Sequence, residues 1–377
     1  MSDHGLSVLL LGATGAMGRR AATELARSTE VDRVVVAGRA RSALDEVHTL
    51  LGGPNGKAEP VMLRSPSASE LEQLFRRVDV VASCAGPSGP LELQFVEAAL
   101  AARVPYASLC DDPTVTRSAL ELDPTARRDG STVVLGCGLR PGLTNLLHEL
   151  AASEVDSVIT ASIAIAGSVS SGGGPASELH YLSALDEDVA VLSEGRLEIS
   201  PGGSAPHLVY FPDPVGWVET FRCSHPEIFT LGRSHPTIKN LQWHFGLAEK
   251  PAMDTLRAAA ALGLARSPGR RSNWLRMSAS VKPLLERLSQ GRGGWSAARV
   301  DVWGVRNGRP AEVSMAVVDH LSNLVAVPLA HIVVELGTRR VEKPGVWPPD
   351  QVLDASAVLA HLARRGIRIA RLEPAVV

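Results

Sequence analysis

The chain lacks the features that mark membrane, secreted and nucleic-acid-binding proteins. Its 377 residues contain no apolar run near the roughly 18 residues that a membrane helix needs. The first residues lack the basic and apolar segments of a signal peptide. The four cysteines are scattered without a CxxC pair, and 38 basic residues nearly balance 40 acidic ones. These absences predict a cytoplasmic protein with reduced thiols, and they predict neither nucleic acid nor a membrane as a partner.

What the sequence does contain, over residues 1–150, is an alternation of strand-like and helix-like segments. Short runs rich in Val, Leu and Ala, such as 8–12, 34–37 and 78–86, are separated by stretches with helical patterning. Continuous apolar strands separated by helices indicate a parallel sheet that is covered on both faces. We therefore expect an α/β fold whose first domain is a doubly wound parallel sheet, the Rossmann arrangement.

The pattern changes near Asp156, and this change predicts a second domain. Residues 151–325 show partial alternation of apolar and polar positions and a Gly/Ser-rich stretch. Asn307-Gly308 joins two alternating runs, which is a strong signal for a β-hairpin. We expect an α+β domain of mostly antiparallel sheet here. The tail, 326–377, reads as a helix followed by a short strand.

A glycine-rich turn directly follows the first predicted strand, in the sequence VLLLGATGAMGRR. Gly12, Gly15 and Gly18 are spaced to open a helix, and the amides at a helix N-terminus favour phosphate. In such a turn the three glycines allow, in order, a tight bend, close approach of a pyrophosphate and close helix packing. A strand-to-helix turn without a ligand is the alternative, and the residues after the next strand favour a dinucleotide.

Arg39 follows the second predicted strand, where an NAD-binding domain usually places an acidic residue. The planar guanidinium of arginine matches the 2′-phosphate of NADP instead. Arg41, close by, is as compatible with a solvated loop charge as with a phosphate ligand. The sequence therefore predicts NADP as the cofactor, with NADPH preferred over NADH.

Several motifs together resemble the saccharopine dehydrogenase-like (saccharopine reductase-like) family of NAD(P)-dependent oxidoreductases. They include GATGAMGRR, VVVAGRARSAL, VDVVASCAGP and VLGCGLRPGLTNLL in the first part of the chain, with SGGGPAS and GVWPPDQVL further on. The resemblance implies that 151–325 is an inserted domain for substrate and dimer contacts. It also implies that 326–377 returns to the Rossmann domain and that the protein is a homodimer.

The resemblance and the glycine spacing also assign the cofactor contacts. These are expected at Gly12, Thr14, Gly15, Ala16, Met17, Gly18, Arg39, Ala85, Gly86, Pro87, Gly138 and Pro141. One departure concerns a Tyr-x-Asp motif that is frequent in the family, because Ser108 stands here where the Asp would be. This difference predicts a specialised substrate rather than saccharopine.

Hydride transfer requires positioning and, in most cases, a proton donor within hydrogen-bond reach. The candidate donors are His180, Tyr106 and Asp111. His180 is also compatible with a packed or surface histidine, and Asp111-Asp112-Pro113 with the start of a helix. Glycines before a helix suit a carboxylate, and aromatic rings suit a pocket wall. Substrate contacts are therefore expected at Gly173, Gly174, Tyr181, Trp243 and His244.

The nearest approach to a metal motif is Cys223, His225 and Glu227. Alternate positions on a strand would bring the three side chains to one face, but Pro226 and the absence of an open catalytic ligand pattern argue against zinc. We expect no metal.

These features predict an NADP-dependent oxidoreductase that transfers hydride between NADP(H) and an imine, secondary amine or carbonyl of a specialised small molecule. Two alternatives remain open at this point. One is a redox-neutral cyclase or lyase on the same fold, and the other is a non-enzymatic regulator that senses NADP.

Overall fold

A computed structural model describes residues 5–86, 89–171, 173–287 and 294–373. The chain forms two compact units. The first comprises Met1–Leu143 and Val325–Asp354, and the second comprises Thr144–Leu324 and Ala355–Val377.

Helices occur in both units. In chain order, the described α-helices are α1 (Ala16–Arg27), α2 (Arg41–Leu50), α3 (Ala68–Phe75), α4 (Pro90–Ala102), α5 (Pro113–Leu120), α6 (Asp123–Asp129), α7 (Leu143–Ala152), α8 (Gly174–Asp186), α9 (Glu227–Ser234), α10 (Lys250–Ala261), α11 (Pro268–Arg287), α12 (Leu321–Gly337) and α13 (Ala355–Arg364). Two short 3-10 helices lie at Gly53–Asn55 and Pro349–Gln351.

The first unit contains a parallel sheet of seven strands. Its strands are β1 (Leu6–Leu11), β2 (Val31–Gly38), β3 (Ala58–Met62), β4 (Val80–Ser83), β5 (Tyr106–Ser108), β6 (Thr132–Leu135) and β15 (Gly345–Trp347). They lie in the order β15-β6-β5-β4-β1-β2-β3, and every pair is parallel. Val8 and Leu10 of β1 pack into one apolar cluster, while Leu9 and Leu11 pack into another. Both faces of the sheet are covered, which confirms the doubly wound fold.

The second unit contains a mostly antiparallel sheet of nine strands. The described strands are β7 (Ser157–Gly167), β8 (Asp188–Ser193), β9 (Arg196–Pro201), β10 (His207–Phe211), β11 (Gly216–Arg222), β12 (Asn240–Leu247), β13 (Trp295–Arg306), β14 (Arg309–His320) and β16 (Arg368–Leu372). Their main order is β10-β11-β12-β7-β13-β14-β16, with β8 and β9 attached beside β12. Asn307 and Gly308 both have positive φ, which is the two-residue turn expected between β13 and β14.

The C-terminal segment differs from the expectation for 326–377. Residues up to Asp354 belong to the first unit, where β15 extends the parallel sheet beside β6. Residues from Ala355 belong to the second unit, because β16 pairs along β14 over five residues. The segment is therefore divided between the two sheets.

Candidate functional site

The strand order of the first sheet reverses between β1 and β4, and this reversal creates a crevice at their carboxyl ends. Ligands bind at such switch points in doubly wound sheets. Leu11 pairs with Ser83 in register, so the turns that follow the two strands meet. Gly12 has a φ of +71°, and a Cβ atom there would lie 2.7 Å from the backbone nitrogen of Ala85. Only glycine fits this approach without displacing the second turn.

The turn after β1 leaves the N-terminus of α1 open to an anion. Gly15 is the N-cap, no side chain caps the helix, and its first turn has no acidic residue. A Cβ at Gly15 would meet nothing closer than 3.4 Å, whereas a Cβ at Gly18 would lie 2.1 Å from the Gly12 carbonyl oxygen. The first position is open to a ligand and the second is closed by helix packing, as a pyrophosphate-binding turn requires. Thr14, Ala16 and Met17 lie in the same turn.

Arg39 and Arg64 are in contact at the end of β2, where the adenosine part of a dinucleotide would lie. Arg39 is exposed, and its guanidinium forms no ion pair or hydrogen bond among the described residues. Arg41, in contrast, donates to Asp45 at 2.9 Å. Arg64 follows β3 and donates from Nε to the Arg39 carbonyl oxygen at 3.3 Å. Sequence reasoning missed Arg64, because β3 becomes a neighbour of β2 only in the folded sheet.

The Ser83 hydroxyl stabilises the turn after β4. Ala85 donates its N–H to the Ser83 hydroxyl at 3.3 Å, and this hydroxyl is 3.4 Å from a Glu92 carboxylate oxygen. Gly86 follows at the exposed surface. Pro87, which was also expected to contact the cofactor, lies outside the described residues. The turn is thus tied to a buried acid on α4.

Glu92 is the centre of a buried polar cluster that sequence reasoning did not identify. Tyr106 donates its hydroxyl to the Glu92 carboxylate at 2.9 Å, and Ser83 and Ser108 are further hydrogen-bond partners. Burial raises the pKa of Glu92 to about 7 despite these hydrogen bonds. Tyr106 has no exposed surface, and burial raises its pKa well above the usual range. Its phenol is therefore committed to Glu92, which argues against Tyr106 as a direct proton donor to a substrate.

Three thiols lie near the same strand ends. Burial raises the pKa of Cys84, Cys110 and Cys137. A thiol is a nucleophile or metal ligand only as a thiolate. These cysteines therefore act as small apolar side chains in this structure.

Asp111 and Asp112 follow β5 and have different surroundings. Asp112 is the N-cap of α5 and accepts hydrogen bonds from the amides of Thr114 and Val115, both at 2.9 Å. The helix-start interpretation therefore holds for Asp112. Asp111 is half-buried, and its role as a proton donor stays a prediction.

The turn after β6 is tightly folded and buried. Gly138 donates its N–H to the Pro141 carbonyl oxygen at 3.1 Å. A Cβ at Gly142 would lie 2.3 Å from the Gly138 carbonyl oxygen, and Gly142 has a φ of +132°. The glycine spacing in GCGLRPG is thus required by the turn itself, and the cofactor contacts expected at Gly138 and Pro141 stay predictions.

The second unit contains a cavity of about 160 Å³. The predicted substrate residues Gly173, Gly174 and Tyr181 all line it. The other lining residues come from the loop after β7, the end of β12 and helices α8, α10 and α11, and they are Ser168, Val169, Ser171, Ser177, Glu178, Leu247, Ala252, Thr255, Leu256, Trp274, Met277, Ser278, Val281 and Lys282.

Buried polar contacts fix the elements around this cavity. Glu249 is buried at the start of α10 and accepts from the Ser168 hydroxyl at 2.8 Å and from the Val169 amide at 3.1 Å. Tyr181 stacks on Phe245, with ring centroids 4.4 Å apart. These contacts join the loop after β7 to α10 and join α8 to β12, and all four elements contribute to the cavity wall.

The other sequence-predicted residues of the second unit do not line the cavity. His180 precedes Tyr181 on α8 but is not part of the wall. Trp243 and His244 lie on β12 and are both buried, because alternate residues of a central strand face its two covered sides. Trp243 stacks on His225 and donates to Glu227, while burial lowers the pKa of His244 to about 4. Both are core residues here, and neither lines this cavity.

The Cys223, His225 and Glu227 group is likewise part of the core. His225 Nδ1 lies 2.7 Å from a Glu227 carboxylate oxygen, and the same oxygen accepts a hydrogen bond from the Trp243 indole. Across the described ranges, no three His, Cys, Asp or Glu side chains are grouped so that they could hold a metal ion. In the same part of the chain, no helix is both long and apolar enough to cross a membrane.

Comparison with known proteins identifies the first unit. Residues 8–134 match the family model of the saccharopine dehydrogenase NADP binding domain. A trans-acting enoyl reductase of Mycobacterium leprae is 33% identical over 133 residues, which are 35% of this chain and 32% of that protein. A putative trans-acting enoyl reductase of Mycobacterium tuberculosis is 29% identical over 218 residues, which are 55% of this chain and 52% of that protein. The chain thus spans between about a third and about half of the length of these curated relatives.

The fold as a whole has a counterpart among solved structures. Saccharopine dehydrogenase (L-Glu forming) from Saccharomyces cerevisiae matches with a TM-score of 0.70 at 15% identity, over 98% of this chain and 100% of that one. At this identity the likeness shows the fold alone, and it confirms the mixed α/β architecture. The family-model match concerns residues 8–134, which are similar to the saccharopine dehydrogenase NADP binding domain.

Proposed function

We propose that this protein is an NADPH-dependent reductase that adds hydride to a polarised double bond of a small molecule. The observation that carries the proposal is the close approach of the two turns at the β1–β4 switch point, which Gly12 permits, together with the exposed Arg39 at the end of β2. A pyrophosphate fits the open N-terminus of α1. A 2′-phosphate fits the guanidinium of Arg39. The match of residues 8–134 to an NADP binding domain supports the same cofactor.

The bond that is reduced is the finer part of the proposal. When bound, NADPH supplies a hydride, and each acceptor also takes up one proton. The residues of this chain are equally compatible with a C=N, a C=O or a conjugated C=C bond as the hydride acceptor. The relatives are described as trans-acting enoyl reductases, and we therefore add an enoyl C=C bond to the imine and carbonyl candidates.

Different residues of this chain bind the cofactor and supply the proton. Gly12, Gly15 and the α1 amides hold the pyrophosphate, and Ala85, fixed by Ser83, shapes the nicotinamide end. His180 and Asp111 remain the candidate proton donors, because Tyr106 is committed to Glu92. The homodimer and the cytoplasmic location stay predictions from the sequence.

Calorimetric titration with NADPH and NADH tests the cofactor half of the proposal. We expect tighter binding of NADPH, and Arg39→Ala should weaken it about tenfold to hundredfold, because a charge-assisted hydrogen bond to phosphate is lost. Arg41→Ala is the matched control, since this arginine is already paired with Asp45 and its loss should change the affinity little. Absence of binding by either nucleotide would overturn the proposal.

Turnover tests the other half. The decrease in NADPH absorbance is followed with a methyl enoate, a ketone and a cyclic imine as separate substrates. Oxidation of NADPH with one of them supports a reductase and identifies the bond. Binding of NADPH without oxidation in any mixture favours the NADP-sensing regulator, and conversion without oxidation favours the redox-neutral enzyme.

A further inference from the structure

The cavity of the second unit has a mostly apolar wall. Its large side chains include Leu247, Leu256, Trp274, Met277 and Val281. The charged side chains among the described lining residues are one acid and one base, Glu178 and Lys282. Mostly apolar walls with a few polar groups are typical of sites for small organic ligands.

Helix α11 contributes a continuous apolar stripe to this wall. Trp274, Met277 and Val281 are spaced three and four residues apart, so they lie on one face of the helix. Met277 is 46% exposed and Val281 is 38% exposed, while Trp274 is 4% exposed. The stripe therefore runs from the interior of the cavity to its mouth, and an apolar ligand would bury the exposed part.

Trp274 carries a second observation that points to a ligand. Its indole Nε1–H is buried and has no acceptor among the described residues. Buried N–H groups in folded proteins are almost always hydrogen-bonded, since an unmet donor is unfavourable. An oxygen atom of a bound molecule would supply the acceptor.

We propose that this cavity binds an apolar acyl chain whose carbonyl oxygen accepts a hydrogen bond from Trp274. The inference rests on the proposed function and deepens it, because it makes an acyl compound, and not an amino acid, the substrate class. The charges of an amino acid require desolvation and close pairing, for which the described lining offers Glu178 and Lys282, whereas a compact zwitterion would leave the apolar stripe of α11 uncovered. An acyl chain uses both the stripe and the unmet donor.

A ligand series tests the inference without nucleotide. Methyl butanoate, hexanoate, octanoate and decanoate are titrated by calorimetry, with the corresponding carboxylates and with norleucine as separate ligands. Affinity for the esters should rise about fourfold per methylene until the cavity is filled, because each methylene leaves water. Affinity that does not depend on chain length, or tighter binding of norleucine than of the esters, would overturn the inference.

Three variants locate the binding. Trp274→Phe keeps a ring and removes the N–H, so ester affinity should fall about fivefold while the dependence on chain length stays. Met277→Glu places a charge at the mouth and should reduce ester affinity more than about tenfold. Leu284→Glu is the matched control, because Leu284 lies on the same helix, is 60% exposed and does not line the cavity. Equal effects of the two Glu substitutions would place the esters elsewhere and overturn the inference.

NADPH titration of the same proteins separates the two proposals. Loss of ester binding with NADPH binding retained overturns only the acyl cavity. Loss of NADPH binding with chain-length-dependent ester binding overturns only the reductase.

Discussion

Burial shifts the pKa of an acid in the first unit and the pKa of two histidines in the second. In the first unit Glu92 is buried and its pKa is raised to about 7, whereas in the second unit the pKa of His148 is lowered to about 3 and that of His244 to about 4. Loss of hydration is the largest cause in all three. Burial favours the neutral form in both units, and the neutral form carries the proton in an acid but not in a histidine.

This difference gives the two units opposite expected responses to pH. Between pH 4.5 and 7 the unfolded first unit releases the Glu92 proton that the folded unit retains, so its stability falls as pH rises. Below pH 6.5 the unfolded chain binds protons at His148 and His244, whereas the folded second unit does not. The stability of the second unit therefore falls as pH falls. The loss of hydration on burial thus lowers the stability of the first unit as pH rises and that of the second unit as pH falls.

The largest expected effect concerns His148, a fully buried residue of α7 whose ring packs against His235 with centroids 4.5 Å apart. His148→Leu should remove about 3 kcal/mol of the stability that the second unit loses between pH 8 and pH 4, because one such histidine costs about 1.4 kcal/mol per pH unit below its unfolded pKa of 6.5. Urea-dependent hydrogen exchange with mass spectrometry measures the units separately. The exposed His320, changed to Leu, is the control, and an unchanged acid response in His148→Leu would refute the assignment.

The next effect concerns the backbone of the first unit, where the ligand site is shaped by glycines instead of side chains. Gly12→Ala should weaken NADPH binding about a hundredfold, since the added Cβ would displace the turn at Ala85. Gly130 is the matched control: it also has a φ of +71°, but an added Cβ there would meet nothing within 4 Å. Similar NADPH affinity in both variants, measured by calorimetry, would show that crowding at the two turns is irrelevant. Hydrogen exchange of the second unit should be the same in both.

A smaller effect is expected at Glu92. Glu92→Gln keeps the shape of the side chain and an acceptor for Tyr106 but removes the titrating proton. The free energy of unfolding of the first unit should therefore fall between pH 5 and pH 8 by about 2 kcal/mol less in the variant than in the unaltered protein. Urea unfolding at the two pH values, read from exchange of β4 and β5, measures this difference. If the first unit keeps its pH response without the carboxylate, another group is responsible.

In both units the sequence predicts local features better than contacts between distant elements, because the two kinds of feature depend on signals of different range. The turn at Gly12, the hairpin at Asn307-Gly308 and the alternation of β strands with helices are each contained in a few consecutive residues, and all are found in the structure. The Glu92–Tyr106 bond joins two elements fourteen positions apart, and nothing local marks an acid on a helix as buried. The role of helix α11 is harder still to predict, because its several arginines are typical of a solvated helix, whereas Trp274, Met277 and Val281 line a cavity.

Arg64 shows the same limit at the cofactor site, and it carries the smallest predicted effect. Its guanidinium lies against the Arg39 carbonyl, next to the side chain proposed to bind the 2′-phosphate. Arg64→Ala should weaken NADPH binding about fivefold and leave NADH binding unchanged, because an exposed charge near a phosphate contributes only about 1 kcal/mol. Arg76→Ala is the control, since Arg76 is an exposed arginine of the same unit that pairs with Glu72 on its own helix. An equal loss for both nucleotides would assign Arg64 to the shape of the turn, whereas a loss confined to NADPH would make the corner of β2 and β3, and not Arg39 alone, the element that selects the cofactor.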